Sequence, residues 1–216
     1  MSHSDINKKI FIIGYSGHAY VILDSILEQG LAVGGYFAMD YNVDDPYSLE
    51  FFGNERADDV SGILNGHWVF PCIGDNAIRE KVINFIKSKS FNQVSVIDKT
   101  ALISSKASYG LSTYIGKNTV INSLAKIGEG VIINTGAIIE HECVIGDFSH
   151  IAPNATLAGN VTIGKKVFFG AGAVTKQGIS IGDNSIIGAG SVVISDIPAN
   201  EVWVGNPARK IRDCDH

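Results

Sequence analysis

The chain has 216 residues, 45% of them hydrophobic and only 18% charged, with a net charge of −5. That composition supplies a sizeable core and excludes a disordered chain. The acidic balance excludes a nucleic-acid binder, which needs a basic surface to displace counterions, while leaving room for a local pocket that takes a phosphorylated ligand.

The opening M-S-H-S-D-I-N-K-K lacks the apolar run of a secretory leader. No stretch approaches the ~20 apolar residues of a membrane span. Cys72, Cys143 and Cys214 are odd in number and form no C-x-x-C pair, which points to a reducing compartment. The expectation is a cytoplasmic protein without membrane insertion.

K9-I-F-I-I-G14 reads as a buried strand, followed by the turn G14-Y-S-G-H18 and a helix over A19-Y-V-I-L-D-S-I-L-E-Q-G30. L31-A-V-G-G-Y-F-A-M39 reads as a second strand, ending at Asp40 in the loop D40-Y-N-V-D-D-P46. W68-V-F-P-C-I73 is a third strand, and G74-D-N-A-I-R79 opens a helix that runs to about Ser88. F91-N-Q-V-S-V-I97 reads as the last strand. The whole is a small α/β, Rossmann-like βαβ domain. A glycine-containing turn between strand and helix favours anions, because free N–H groups point at the ligand. G14-Y-S-G-H18 is not the full G-x-G-x-x-G fingerprint, so phosphate binding and a plain tight turn stand side by side. Asp40 stands where a ribose or base contact often sits, or is a solvated loop carboxylate.

From Ile97 the chain falls into rows of six: IDKTAL, ISSKAS, YGLSTY, IGKNTV, INSLAK, IGEGVI, INTGAI, IEHECV, IGDFSH, IAPNAT and onward to VISDIP. Column one is a large aliphatic or Phe, interrupted only by Tyr109 and Thr175. Column five is mostly small, and glycine recurs in column two, as at Gly116, Gly128, Gly146, Gly164 and Gly182. Columns five and one are two residues apart, so on a strand both face the core. Glycine or Asn near the bend can adopt backbone angles closed to other residues. Three sides close one coil, and coils stack at strand spacing into a solenoid.

The unbroken hexad resembles the left-handed parallel β-helix of hexapeptide-repeat acyltransferases, and V202-W-V-G-N-P-A-R-K-I211 resembles their ending. Together with G14-Y-S-G-H18, I73-G-D-N-A-I-R79, I139-E-H-E-C-V-I-G-D-F-S-H150 and L157-A-G-N-V-T-I-G164, the chain resembles bacterial nucleotide-sugar N-acetyltransferases of the bacillosamine and perosamine type and the related sialic acid O-acetyltransferases. The resemblance implies three parts. Residues 1–96 would be a nucleotide-sugar-binding domain, 97–198 the left-handed β-helix acetyltransferase domain, and 199–216 a tail near coenzyme A. It implies a uridine nucleotide sugar held by Gly14, Ser16, Gly17, His18, Asp40, Gly74, Asp75, Asn76 and Arg79. It also implies acetyl-CoA as cosubstrate, coenzyme contacts at His150, Ala171 and Ala189, and a homotrimer with active sites between subunits. Relatives often carry two acids where this chain has Met39-Asp40, and smaller residues at Tyr15 and Ala19.

His141 and Glu142 occupy columns three and four, the corner outside the core. A corner histidine has no packing reason to be there. Its functional reading is general base: an imidazole near pH 7 can take the proton of an attacking amine, with Glu142 fixing the ring. Gly159 stacks one coil above His141 and would open the corner to the pantetheine arm. Asn134 is a candidate second partner of His141 and a coenzyme-site residue. Cys143 and Ser149 fall in the inward column, which disfavours an acyl-enzyme and favours direct transfer. A zinc lyase on the same helix needs three histidines, and the coils carry only His141 and His150 before His216, so no metal is expected. A non-catalytic scaffold would leave His141-Glu142 without a reason. The expected activity is acetyl-CoA-dependent N-acetylation of a UDP-4-amino-4,6-dideoxy sugar for surface-glycan synthesis, with sialic acid O-acetylation as the alternative.

Overall fold

The computed structural model describes residues 8–57 and 59–214. Residues 1–7, read above for a leader, and His216 lie outside the described residues. The chain divides between Val96 and Ile97 into two compact units.

The first unit runs β1 (Ile10–Ile13), α1 (Gly17–Leu27), β2 (Val33–Phe37), α2 (Val60–Leu64), β3 (Trp68–Pro71), α3 (Asn76–Ser88) and β4 (Asn92–Gln93). Its four strands form a parallel sheet in the order β2-β1-β3-β4. All four residues of β1 are buried, as a continuous apolar run at the centre of a parallel sheet requires. α1 buries Ala19, Ile22, Leu23 and Ile26, an i, i+3, i+4, i+7 stripe. The order of strands reverses between β1 and β3, which makes their carboxyl ends a topological switch point, the usual ligand crevice of such sheets.

Two local expectations change. Helix α2 went unread because five residues are too few for periodicity to show. The single strand expected over 91–97 is two, Asn92–Gln93 in the first sheet and Val96–Ile97 in a sheet of the coils.

The second unit is a parallel β-helix of three walls in which each strand pairs with the strand 18 residues on. Ile138 pairs with Thr156 on the first wall, Lys126 with Val144 on the second and Ile132 with His150 on the third. Column one and column five supply its core, including Ile133, Ala137, Ile139, Cys143, Ile145 and Ile151. The bend residues of column four adopt the left-handed conformation coil after coil, at Leu124, Glu142, Phe148, Asn160 and Lys166 as well as at glycines. The column-two glycines have another reason. A Cβ on Gly146 would lie 2.6 Å from the carbonyl carbon of Gly164, so glycine there is required by the approach of stacked coils, not by backbone angle. After the last coil, strand Glu201–Gly205 pairs with Ile186–Ile187 and turns back as Ala208–Asp213. Lys210 Nζ ties this hairpin together, 2.7 Å from both Glu201 and Asp213.

The three cysteines are free thiols. Among the described residues no helix is long and apolar enough to cross a membrane.

Candidate active site

The corner between the first and second walls carries His141 and Glu142. The strands on either side, Ile138–Ile139 and Val144–Ile145, bury their column-one residues and force columns three and four outward. Glu142 completes the turn at φ 62°. Its Oε2 lies 3.1 Å from His141 Nδ1, and both side chains are about half exposed (51% and 56%). A carboxylate on Nδ1 selects the tautomer that carries its hydrogen there and leaves the Nε2 lone pair available to accept a proton. Gly159 lies beside that edge of the ring, where only a glycine fits: a Cβ at 159 would stand 2.6 Å from Nε2 and 2.5 Å from Cε1 of His141. The coil-to-coil stacking is fixed by the Asn160 amide, which donates to the His141 carbonyl at 2.8 Å.

Asn134 does not reach His141. Its Nδ2 lies 3.1 Å from His150 Nε2 and its Oδ1 accepts from the Thr135 amide, so both ends of its side chain are engaged on the third wall. His150 stands on the outer face of its strand, as its column requires, but is only 8% exposed, edge-on to Phe168 at 5.2 Å. That wall runs into the corner where Ala171 and Ala189 stack, joined by the Gly190 amide on the Ala171 carbonyl. Both alanines are exposed. The candidate coenzyme residues therefore form two groups. Gly159 belongs with His141, whereas Asn134, His150, Ala171 and Ala189 lie on and beside the wall opposite the His141 corner.

In the first unit, the turns after β1 and β3 lie side by side at the switch point. Gly14 (φ 92°) is pressed against Ile73 and the Cys72 carbonyl, where a Cβ would have no room. Gly17 and Gly74 face open space. Ser16 is exposed at the start of α1, and Asp75 caps α3 by accepting from the Ile78 amide. Two helix N-termini thus open at one crevice. Arg79 does not reach that crevice as expected. It is 1% exposed, and its guanidinium donates to the Ile73 and Gly74 carbonyls and to Asn76 Oδ1. Burial pulls its pKa down to about 9 against the pull of Asp75. It holds the 73–76 turn in shape. His18 is pushed down to about 4 by burial and by the Arg79 charge, so it is a neutral imidazole at neutral pH.

Asp40 is exposed beyond β2. The loop after it is strapped to α1 by tyrosines, which the sequence reading missed. Tyr15 stacks on Tyr36 at 4.2 Å and hydrogen-bonds Asp45, and Tyr47 donates to Asp24. The β1–β2 side of the strand ends is thereby filled, and the open crevice lies on the β1–β3 side. Among the described residues no group of His, Cys, Asp or Glu side chains is placed to hold a metal ion.

Three family models match. Residues 9–86 match the PglD N-terminal domain, 125–159 and 142–177 the bacterial transferase hexapeptide, and 160–195 the hexapeptide repeat of succinyl-transferase. Among solved structures, the chain is similar to PerB from Caulobacter crescentus, solved with CoA and GDP-perosamine. The two are 30% identical over 95% of this chain and 98% of that one, with a TM-score of 0.88. The acetyltransferase domain of PglB from Neisseria gonorrhoeae, solved with acetyl coenzyme A, is 27% identical over 95% and 100%, TM-score 0.85. WeeI from Acinetobacter baumannii is 25% identical over 95% and 100%, TM-score 0.84. An uncharacterised protein of Acanthamoeba polyphaga mimivirus is 30% identical over 120 residues, 53% of this chain, and the chain spans only 22% of its length. With a PglD-type α/β domain before a left-handed β-helix, the chain belongs to the hexapeptide-repeat acyltransferases, among the CoA-dependent sugar N-acetyltransferases.

Proposed function

We propose that the chain transfers the acetyl group of acetyl-CoA to the amine of a nucleoside-diphosphate-linked 4-amino-4,6-dideoxy sugar, with His141 as general base. The carrying observation is the His141–Glu142 pair at 3.1 Å with Nε2 facing Gly159. Nε2 takes a proton from the amine as the amine attacks the thioester carbonyl. The Glu142 carboxylate, hydrogen-bonded to Nδ1–H, stabilises the imidazolium that forms. The tetrahedral intermediate collapses, the C–S bond breaks, and the departing thiolate takes the proton back from the imidazolium. A glycine at 159 makes room for the His141 ring itself, which a Cβ there would strike.

The nucleotide belongs in the β1–β3 crevice, where Ser16, Gly17, Gly74 and the amides of two helix N-termini converge. His18, kept neutral by burial, supplies a hydrogen bond there rather than a charge. A UDP sugar of the bacillosamine pathway type is the first choice. The GDP-perosamine bound by the Caulobacter protein supports a GDP sugar as the second. The His141 corner and the Ala171–Ala189 corner point in different directions from one chain. A homotrimer, each corner facing its counterpart on the next subunit, would join them into one acetyl-CoA cleft. Surface-glycan synthesis is the pathway this substrate serves.

The test is turnover by His141→Ala. It should fall by about 10²–10⁴-fold with the fold intact; kinetics equal to wild type would remove His141 from the mechanism.

A further inference from the structure

Thr175 is a polar residue in the apolar column that fills the β-helix, 3% exposed. Its neighbours in that column are Phe169 and Ile181, both buried. A hydroxyl in such a place requires a partner, and the partner it has alters the coil beside the active site. Among the described residues from Asp98 to Lys176, every other column-two amide donates to the column-one carbonyl of the next coil, as Glu140 does to Leu157 at 3.0 Å and Gly164 does to Ile181 at 2.8 Å. The Ala158 amide instead donates to Thr175 Oγ1 at 2.9 Å. The ladder registers the change: these two strands pair at Thr156 with Val174, whereas the strands before and after pair at two positions. The Ala158 carbonyl is also held from inside, by the Cys143 thiol at 3.2 Å.

Ala158 is the residue before Gly159, and the 159 backbone lies beside the His141 ring, where an added Cβ would stand 2.5 Å from Cε1. The 158–159 backbone therefore sets the room beside the imidazole, and a shift in it changes that room. We infer that Thr175 is a positioning residue for the acetyl-transfer site: its buried hydroxyl draws the Ala158 amide out of the ladder and so sets Gly159 against His141 Nε2. The break falls in the coil that covers the catalytic corner, which a random lapse in the repeat has no reason to choose.

The kinetic arm of the test rests on the function proposed above; the titration arm needs no substrate. Thr175→Val keeps the shape and removes the hydroxyl. It is expected to lower kcat about tenfold with KM for the nucleotide sugar unchanged, since misplacement at a reacting centre is felt in the chemical step. It is also expected to shift the His141 imidazole titration read by NMR. Thr175→Ser restores the hydroxyl and should return both to wild-type values. Wild-type titration of His141 in Thr175→Val overturns the inference, as does a Thr175→Ser enzyme no better than Thr175→Val. If Thr175→Val does not fold, the Thr175→Ser enzyme decides: full turnover and an unmoved His141 titration uphold the role of the hydroxyl, and loss of either contradicts it. A wild-type enzyme that leaves every amino sugar untouched removes the functional proposal but leaves the titration result to judge Thr175.

Discussion

The place of His141 on an outward bend beside Glu142 was legible from sequence, because a bend column tolerates almost any small or polar residue and an imidazole beside a carboxylate answers no packing need there. Gly159 was legible because stacking is periodic: eighteen residues on is directly above. Arg79 was not. An arginine just inside a helix that follows a glycine turn invites a phosphate, and only the fold reveals that its charge is buried against the Ile73 and Gly74 carbonyls. Thr175 stood out as an exception to its column, but nothing in the sequence said which amide it would take.

His18 carries a prediction at this scale. Its pKa falls from 6.5 to about 4 on folding. The unfolded chain therefore binds a proton between those values that the folded one refuses, so stability is fully present above pH 6.5 and is lost as pH falls toward 4. His18→Gln should flatten that dependence, measured as the urea midpoint against pH. A variant with the wild-type slope would contradict the burial argument. A diphosphate in the crevice should raise the His18 pKa in the same titration, because an anion favours the protonated ring.

At the scale of the element, the bend repeats one conformation whatever the side chain. Glu142 holds φ 62° although it is not glycine. The strain is tolerated because neighbouring coils fix the turn, with the Glu142 amide donating to the Ser123 carbonyl at 3.0 Å. Glu142→Gly should therefore raise stability by about 1 kcal/mol while lowering turnover. Denaturant midpoints and kcat read on the same preparation check this, and a variant that is both less stable and fully active contradicts it. The hexad told where strands and bends would fall, since a six-residue phase leaves no freedom. It did not distinguish glycines needed for close approach from those needed for backbone angle. In the first unit, short elements without periodicity were beyond reach: helix α2, and the division of 91–97 between two sheets.

At the scale of the whole molecule, the two groups of candidate residues on the β-helix bear on the homotrimer proposed above. The His141 corner joins the first and second walls, while Asn134 and His150 stand on the third. The proposed homotrimer would bring the two groups together from neighbouring subunits. If the chain forms that homotrimer, mixing His141→Ala with Ala189→Trp chains is expected to restore activity that neither has alone, at roughly a quarter of the sites. Mixed subunits as inactive as their parents would place the whole site within one chain.

The central claim is the reaction itself. Thiol release from acetyl-CoA should be followed with UDP- and GDP-linked 4-amino-4,6-dideoxy sugars beside free sialic acid. The account predicts turnover with a nucleotide-linked amino sugar and none with sialic acid. Turnover with sialic acid alone would make the chain an O-acetyltransferase and leave the β1–β3 crevice without the nucleotide assigned to it.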